Sequence, residues 1–275
     1  MAKKKGKQKQ GAFRKYIRVL WGIFLLGVTG IIVLFGGAAL GIFGPMPDLQ
    51  QLENPRTNLA TQIISSDGTI LGKYYFDDNR TPIGFDEIPT DMVEALIATE
   101  DERFYEHAGI DWRGTLRAFV FLGKRGGAST ITQQLARQIF VGVRSRNVLK
   151  TIFQKAQEWV IAVQLEQRYT KKEIMAMYLN KYDFGYQADG IRSAAKIFFN
   201  KTPQELSIEE SATLVGMLKN SSLFNPIRRP ERVKERRNIV FQQMVRNQRI
   251  TDQEKDSLAQ LPLEITFTPE SHREG

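Results

Sequence analysis

The stretch Ala98-Thr-Glu-Asp-Glu-Arg-Phe-Tyr-Glu-His-Ala-Gly-Ile-Asp111 organises the fold of the chain around it. Residues 92–98 place apolar side chains at helical spacing, which predicts a helix that ends near Glu100. A carboxylate that takes or gives a proton works best when partly buried, and Phe104 and Tyr105 would supply an apolar wall. Glu100 is therefore the first candidate for catalysis. The competing interpretation is a solvated acidic helix end, since four acidic residues lie between positions 100 and 106.

The positive charge of the chain is concentrated at its N-terminus. The formal net charge of the 275 residues is +9, and residues 1–18 hold eight lysines and arginines and no acid. The remainder is nearly neutral, which disfavours nucleic acid as a partner, because a nucleic-acid-binding domain needs a basic face. The chain has no cysteine, which excludes disulfides and cysteine metal sites. His107 and His272 are too few for a histidine metal site.

An uncharged apolar stretch follows the basic residues. Its apolar part, residues 20–43, is longer than the roughly 20 residues that span a bilayer and than the roughly 7–15 apolar residues of a signal peptide. We therefore predict an uncleaved transmembrane anchor over residues 19–47. Because the basic residues precede the anchor, the positive-inside rule places residues 1–18 in the cytoplasm and residues 48–275 outside.

Beyond the anchor, the sequence predicts a mainly α-helical fold with one short β-hairpin. Residues 48–58 are a polar linker, and residues 62–76 form the hairpin, with Asp67-Gly68 as its turn. Apolar periodicity and glycine or proline punctuation then predict eight helices. These helices lie near 90–100, 111–122, 129–140, 147–167, 171–180, 188–199, 207–219 and 230–247.

The segment Gly126-Gly-Ala-Ser-Thr-Ile-Thr-Gln-Gln-Leu135 is unusually polar for a helix start. Free backbone N–H groups at a glycine-rich helix N-terminus suit anionic groups and sugar hydroxyls. An ordinary capped helix with a polar face explains the same pattern equally well.

A second polar pair lies in the middle of a predicted helix. Lys155 and Glu158 are three residues apart and therefore share a helix face. A solvated ion pair is the simpler interpretation. If both side chains face a cleft, Lys155 can neutralise a phosphate and Glu158 can act as acid, ligand or charge stabiliser.

The chemical motifs occur in a characteristic order along the chain. They occupy residues 99–111, 127–135, 155–158, 168–180 and 210–226. This series resembles the peptidoglycan glycosyltransferase domain (glycosyltransferase family 51) of class A penicillin-binding proteins and monofunctional transglycosylases. The resemblance covers roughly residues 60–250, and five motifs in the same order make it specific.

The resemblance implies a lysozyme-like, two-lobed helical domain preceded by one transmembrane helix. The implied activity is polymerisation of lipid II, with inversion at the anomeric carbon and release of polyprenyl pyrophosphate. Glu100 would be the general base that deprotonates the 4-hydroxyl of the acceptor. Glu158 would assist the leaving pyrophosphate, directly or through a divalent cation (Mg²⁺ or Mn²⁺), with no organic cofactor and no metal ligand assigned. The implied substrate-binding residues are Ser129, Thr130, Gln133, Gln134, Arg137, Lys155 and Asn180.

The same resemblance predicts the layout and location of the chain. The expected partners are lipid II, the growing lipid-linked glycan and the bilayer, with room for other cell-wall synthesis proteins. The expected location is the bacterial inner membrane, in a single pass, with the catalytic domain on the outer (periplasmic) side. Residues 262–275 are expected to lead to a transpeptidase domain in a longer protein. The predicted segments are a basic tail (1–18), an anchor (19–47), a linker (48–58), a glycosyltransferase domain (59–250) and a C-terminal linker (251–275).

Some positions depart from the family pattern, and other functions stay open. Gln154 stands where an arginine usually precedes Lys155, and Arg137 stands where lysine is common. The first alternative function is a lysozyme-like enzyme that cleaves glycan with Glu100 as its acid. The second is an inactive scaffold in a cell-wall assembly complex. Two glutamates together with a lysine favour synthesis.

Overall fold

The computed structural model describes residues 2–47, 61–66, 70–74, 81–121, 127 and 129–269. The chain divides into two compact units. The anchor unit comprises residues 1–46 and 144–160, and the main unit comprises residues 47–143 and 161–275. The predicted linker 48–58 and the predicted turn at Asp67-Gly68 lie outside the described residues.

Most of the described chain is helical, as the sequence predicts. The strands β1 and β2 pair antiparallel, which confirms the hairpin. Three short 3-10 turns occur at Phe85–Glu87, Phe104–Glu106 and Pro203–Glu205. The helices and strands are, in order, α1 (Ala2–Ala39), β1 (Thr61–Ile64), β2 (Ile70–Tyr74), α2 (Thr90–Glu100), α3 (Trp112–Val120), α4 (Ile131–Ala136), α5 (Val148–Glu166), α6 (Lys171–Lys181), α7 (Gly190–Phe199), α8 (Ile208–Met217), α9 (Pro230–Arg246) and α10 (Asp252–Gln260).

All eight predicted helices are present, with two differences from the prediction. The helix predicted over 129–140 ends as an α-helix at Ala136 and continues as a π turn, Arg137–Val141. Helix α10 was not predicted, and it lies inside the expected C-terminal linker. It has no apolar stripe and none of its residues is buried, so periodicity could not reveal it. Its one sequence signal is the capping box of Thr251 and Glu254.

In the anchor unit, the end of α1 packs against α5. The segment Arg14–Ala39 contains an 18-residue stretch with a mean hydropathy of 2.4 and is long and apolar enough to cross a membrane. Near its end, Phe35 contacts Trp159 with a ring-centroid distance of 5.6 Å. Just beyond the helix, Phe43 stacks on Phe153 at 4.2 Å. The apolar helix therefore ends on the helix that carries Lys155 and Glu158.

The core of the main unit forms where α2, α8 and α9 pack together. Helix α9 buries Val233, Val240 and Phe241 at helical spacing. Helices α8 and α9 approach closely at Gly216, where an added Cβ would lie 3.1 Å from Arg236 Cγ. This packing fixes Arg236 on α9 relative to the end of α2.

The segment after α10 also belongs to the main unit. The Thr266 and Thr268 N–H groups donate to the carbonyls of Phe198 and Ile197, at 2.9 and 2.8 Å. The buried Arg237 binds carbonyl groups at residues 258, 261 and 262. Residues 258–268 are therefore held against α7 and α9.

Candidate active site

The main unit contains an open cleft of about 690 Å³ at the C-terminal end of α2. Glu100 lies in its wall, together with residues from α3, α9 and the start of α4. The polar and charged side chains that line it include Ser129, Gln134, Arg117, Arg236 and Arg246. Asp101 and Glu102 also line the cleft, so its lining contains three carboxylates and three arginines.

Asp101 explains why Glu100 faces this cleft. It follows α2 and is buried, with 7% of its surface exposed. Its carboxylate accepts a 3.0 Å hydrogen bond from the Ile131 N–H, at the start of α4, and lies 3.0 Å from His107 Nε2. The orphan N–H groups of a helix start are favourable partners for a carboxylate. Asp101 thereby joins the end of α2 to α4 and brings Glu100 beside Gln134.

The Glu100 carboxylate has two neighbours of different kinds. Gln134 Nε2 donates a 2.9 Å hydrogen bond to Oε2. On the other side, an Arg236 nitrogen (Nη2) lies 3.9 Å from Oε1. The Glu100 side chain is 16% exposed, so it is largely buried yet open to the cleft. This arrangement suits a carboxylate that exchanges a proton with a bound molecule.

Arg236 is a site residue that the sequence analysis did not identify. Its side chain is 9% exposed, and its Nε donates to the Gly216 carbonyl at 3.3 Å. Burial lowers the pKa of Arg236, and the charge of Glu100 opposes that effect. One sequence signal was available, since Arg236 and Arg237 fall within the apolar stripe that includes Val233 and Val240.

Another buried residue with a polar group, Tyr178 of α6, lies behind Gln134. Its side chain is fully buried, and its hydroxyl donates a 3.0 Å hydrogen bond to Gln134 Oε1. Burial raises the pKa of Tyr178 well above its ordinary value, and the nearby charge of Glu100 raises it further. Arg137, in the π turn after α4, lies close enough for its charge to oppose this shift.

Three of the predicted substrate-binding residues bond nearby backbone groups through their side chains. Thr130 Oγ1 donates to the Gly109 carbonyl at 2.7 Å, and Gln133 Nε2 donates to the same oxygen at 3.2 Å. Asn180 binds Ile83 from both ends of its amide, accepting from the N–H at 3.1 Å and donating to the carbonyl at 2.8 Å. Among the predicted residues of the main unit, Glu100, Ser129 and Gln134 line the cleft.

The anchor unit holds the second predicted pair. Lys155 Nζ lies 2.8 Å from Glu158 Oε2, and Arg144 lies 3.8 Å from the same oxygen. The Glu158 side chain is only 2% exposed, so the simpler interpretation of a solvated pair is wrong. Its other oxygen, Oε1, is buried and accepts no hydrogen bond from the described residues. Gln154, at the usual arginine position, accepts from the Ser145 N–H at 2.9 Å.

The donor set of the anchor unit fits a divalent cation only with help from a substrate. Mg²⁺ prefers oxygen ligands and is often held by one or two carboxylates plus substrate phosphates. Glu158 Oε1 is one such oxygen, and its lack of a described partner agrees with that role. Within the described ranges, three or more histidine and acidic side chains do not cluster anywhere. A complete metal site made of described side chains alone is therefore not present.

Comparison with known proteins assigns this chain to a family. A family model described as "Transglycosylase" matches residues 67–245. The chain therefore belongs to the transglycosylase family. It is 39% identical to penicillin-binding protein 1A of Escherichia coli (strain K12) over 241 residues, which cover 85% of this chain and 28% of that protein. It is 38% identical to penicillin-binding protein 1A/1B of Bacillus subtilis (strain 168) over 256 residues, which cover 90% and 27%.

A crystal structure of penicillin-binding protein 1A from Haemophilus influenzae is also similar. The match has a TM-score of 0.44 and 23% sequence identity. It covers 78% of this chain and 22% of that one. This chain thus spans less than a third of the length of each of these relatives.

Proposed function

We propose that this chain is a membrane-anchored peptidoglycan glycosyltransferase that polymerises lipid II. The observation that carries the proposal is a largely buried glutamate, Glu100, in a cleft of a transglycosylase-family domain. The relatives named penicillin-binding protein 1A support the same function.

The reaction needs one group to remove a proton. The 4-hydroxyl of the acceptor attacks the anomeric carbon of the lipid-linked donor, and its proton passes to the Glu100 carboxylate. The bond from the anomeric carbon to the pyrophosphate oxygen breaks, and its electron pair leaves with the pyrophosphate. A single displacement of this kind inverts the anomeric carbon, as in inverting glycoside hydrolysis with a sugar hydroxyl in place of water.

The leaving pyrophosphate needs positive charge. We assign this role to Lys155, with Arg144 nearby. If Mg²⁺ or Mn²⁺ takes part, Glu158 Oε1 would hold it together with phosphate oxygens, and the cation would neutralise the departing charge. The buried oxygen of Glu158 supports this assignment.

We further propose that the enzyme works at the outer surface of the bacterial inner membrane. The apolar helix Arg14–Ala39 would be a single-pass anchor, and the basic residues before it favour a cytoplasmic N-terminus. Helix α3 supports a second contact with lipid. Its Trp112, Leu116 and Phe119 lie on one face and are 66%, 64% and 79% exposed. An amphipathic helix with an aromatic, exposed apolar face is typical of membrane interfaces.

The test is incubation of the detergent-solubilised protein with labelled lipid II, with Mg²⁺, with Mn²⁺ or with a chelator. The variants are Glu100→Gln and, as a matched control on the same helix, Glu94→Gln. Glu94 is half-buried and pairs with Arg249 at 3.8 Å, away from the cleft lining. We expect a ladder of long glycan from the wild type and the control. Glu100→Gln should lose roughly 10²–10⁴-fold in rate, the usual contribution of a general base.

Three other outcomes would contradict parts of this proposal. Full polymerisation by Glu100→Gln would remove Glu100 from the role of base. Cleavage of preformed glycan, without polymer from lipid II, would indicate a lysozyme-like enzyme in which Glu100 is the acid. Neither polymer nor cleavage would indicate an inactive scaffold.

A further inference from the structure

A chain of two hydrogen bonds connects the buried core to the cleft. The Tyr178 hydroxyl donates to Gln134 Oε1 at 3.0 Å, and Gln134 Nε2 donates to Glu100 Oε2 at 2.9 Å. Tyr178 itself is fully buried and does not line the cleft. The hydrogen-bonded route from Tyr178 to the cleft therefore runs through Gln134.

The tyrosine determines which end of the Gln134 amide faces the carboxylate. An amide has a donating and an accepting end, whereas an ionised carboxylate can only accept. If the amide flipped, its oxygen would face Glu100 Oε2 without a proton between them. The Tyr178 hydroxyl opposes that flip, because it supplies a donor to Gln134 Oε1. Hydrogen bonds in such a chain also polarise one another, so each strengthens its neighbour.

Burial keeps Tyr178 in the form that can donate. Burial and the charge of Glu100 both raise the pKa of the phenol, and the charge of Arg137 opposes them. The phenol therefore keeps its proton at physiological pH. The ionisable groups in the surroundings are Tyr182 directly after the same helix, Glu100, Arg137 and, on the far side of Glu100, Arg236.

We propose that Tyr178 is a positioning residue for glycosyl transfer. Acting through Gln134, it fixes Oε2 of Glu100, so that Oε1 is the oxygen that receives the proton of the acceptor hydroxyl. Oε1 is the oxygen on the side of Arg236, a residue of the cleft lining. This inference rests on the proposed function, and it assigns to the buried tyrosine an effect on rate rather than on substrate binding.

The test compares Tyr178→Phe with Tyr182→Phe in the full-length chain. Tyr178 lies on α6 and Tyr182 lies one turn further along, directly after the end of that helix, with ring centroids 6.5 Å apart. The Tyr182 hydroxyl donates to the Met217 carbonyl at 2.9 Å, so its loss removes a similar bond without touching Gln134. We expect kcat of Tyr178→Phe on lipid II to fall about tenfold at unchanged KM, because a mispositioned base loses part of its contribution. Tyr182→Phe should keep the wild-type kcat.

A second comparison shows whether the effect passes through Gln134. In a Gln134→Leu background, Tyr178→Phe should change kcat by less than twofold, since the residue that transmits the effect is gone. This background also has no amide oxygen at position 134 that loss of the tyrosine hydroxyl could leave unpaired. The comparison therefore remains informative if Tyr178→Phe alone folds poorly.

Each contrary outcome has a distinct meaning. If wild-type protein polymerises lipid II and Tyr178→Phe keeps its kcat, Tyr178 has no positioning role. A tenfold loss in the Gln134→Leu background as well would show that Tyr178 acts independently of Gln134. An equal loss of kcat in Tyr182→Phe would indicate a general loosening of α6. Absence of polymer from the wild type would overturn the proposed function and this inference with it.

Discussion

Replacing Arg237 with methionine should destabilise the main unit by releasing its C-terminal segment. Arg237 is almost fully buried on α9, with 1% of its surface exposed. Its guanidinium donates to the carbonyls of Leu261 at 2.6 Å, Pro262 at 3.1 Å and Leu258 at 3.5 Å. These carbonyls lie at the end of α10, where the helix leaves acceptors without internal partners. Arg237 therefore acts as the cap that joins α10 to α9.

The size of the effect follows from these contacts. A hydrogen bond to a charged group contributes about 1.5–3 kcal/mol, and two of the three bonds have good lengths. Two factors make the loss of unfolding free energy smaller than the sum of these bonds. Leu261 is 39% exposed, so water can reach its carbonyl. Burial lowers the pKa of Arg237, with the charge of Glu209 opposing it, which shows that burying the charge has its own unfavourable contribution. We expect a net loss of about 3 kcal/mol.

Thermal unfolding and limited proteolysis would measure this loss. For a unit of about 150–250 residues, 3 kcal/mol corresponds to a Tm lower by about 6–12 °C. Protease sites within residues 252–269 should become accessible first. The control is Arg232→Met, which removes the same charge from an exposed position on the same helix.

A comparison of the two Tm values can refute this prediction. If Arg237→Met and Arg232→Met have the same Tm within about 2 °C, the three carbonyl bonds do not stabilise the unit. Residues 258–268 would then be held in place without Arg237, for example by the hydrogen bonds of Thr266 and Thr268 to α7.

Three further predictions concern pH, a helix cap and lipid. Burial raises the pKa of Tyr182 to about 12, so above pH 10 the unfolded chain loses this proton first, and Tyr182 should lower the free energy of unfolding by about 1.4 kcal/mol per pH unit up to pH 12, in addition to the contribution of Tyr178; unfolding of Tyr182→Phe should show a shallower fall. Asp111→Ala removes the cap of α3 and should lower the free energy of unfolding by about 1–2 kcal/mol at pH 7. Although burial alone would raise the pKa of Asp111, Arg103 lowers it, so denaturant titrations of the two proteins should converge as the pH falls below 3.8. The double variant Trp112→Ser with Phe119→Ser should keep its activity on detergent-solubilised lipid II and lose about 100-fold or more on lipid II in vesicles, since burying each of the two large apolar side chains contributes about 1.5–3 kcal/mol; equal losses in both assays would argue against a lipid contact.

Local patterns in the sequence were sufficient to predict most of the secondary structure. Most of the eight predicted helices have an apolar stripe that packs in the core, and the period of that stripe reveals the helix. The long apolar helix was equally visible, because an uncharged apolar stretch after basic residues can be recognised without reference to the rest of the chain. Helix α10 was not predicted because it is polar and gains its stability from a cap and from Arg237 on the preceding helix, α9.

For the candidate site too, the sequence identified some of the residues and the packing decided the rest. The sequence identified Glu100, Ser129 and Gln134, because an acidic helix end and a polar helix start are local features. It did not separate Gln134, which bonds Glu100, from its neighbour Gln133, which holds the Gly109 carbonyl. One residue along a helix turns a side chain by about 100°, and only the packing of α4 decides which side faces the cleft.

Arg236 and Tyr178 show what the tertiary structure alone decided. They lie 136 and 78 positions from Glu100 in the numbering, and no spacing rule joins them to it. Close packing of α8 on α9 places Arg236 at Oε1, and α6 places Tyr178 behind Gln134. The sequence by itself determined which residue types could carry the chemistry and which segments are helical, because these depend on neighbours three or four residues away. The surroundings of the carboxylate depend on contacts across the core, which exist only once the helices have packed.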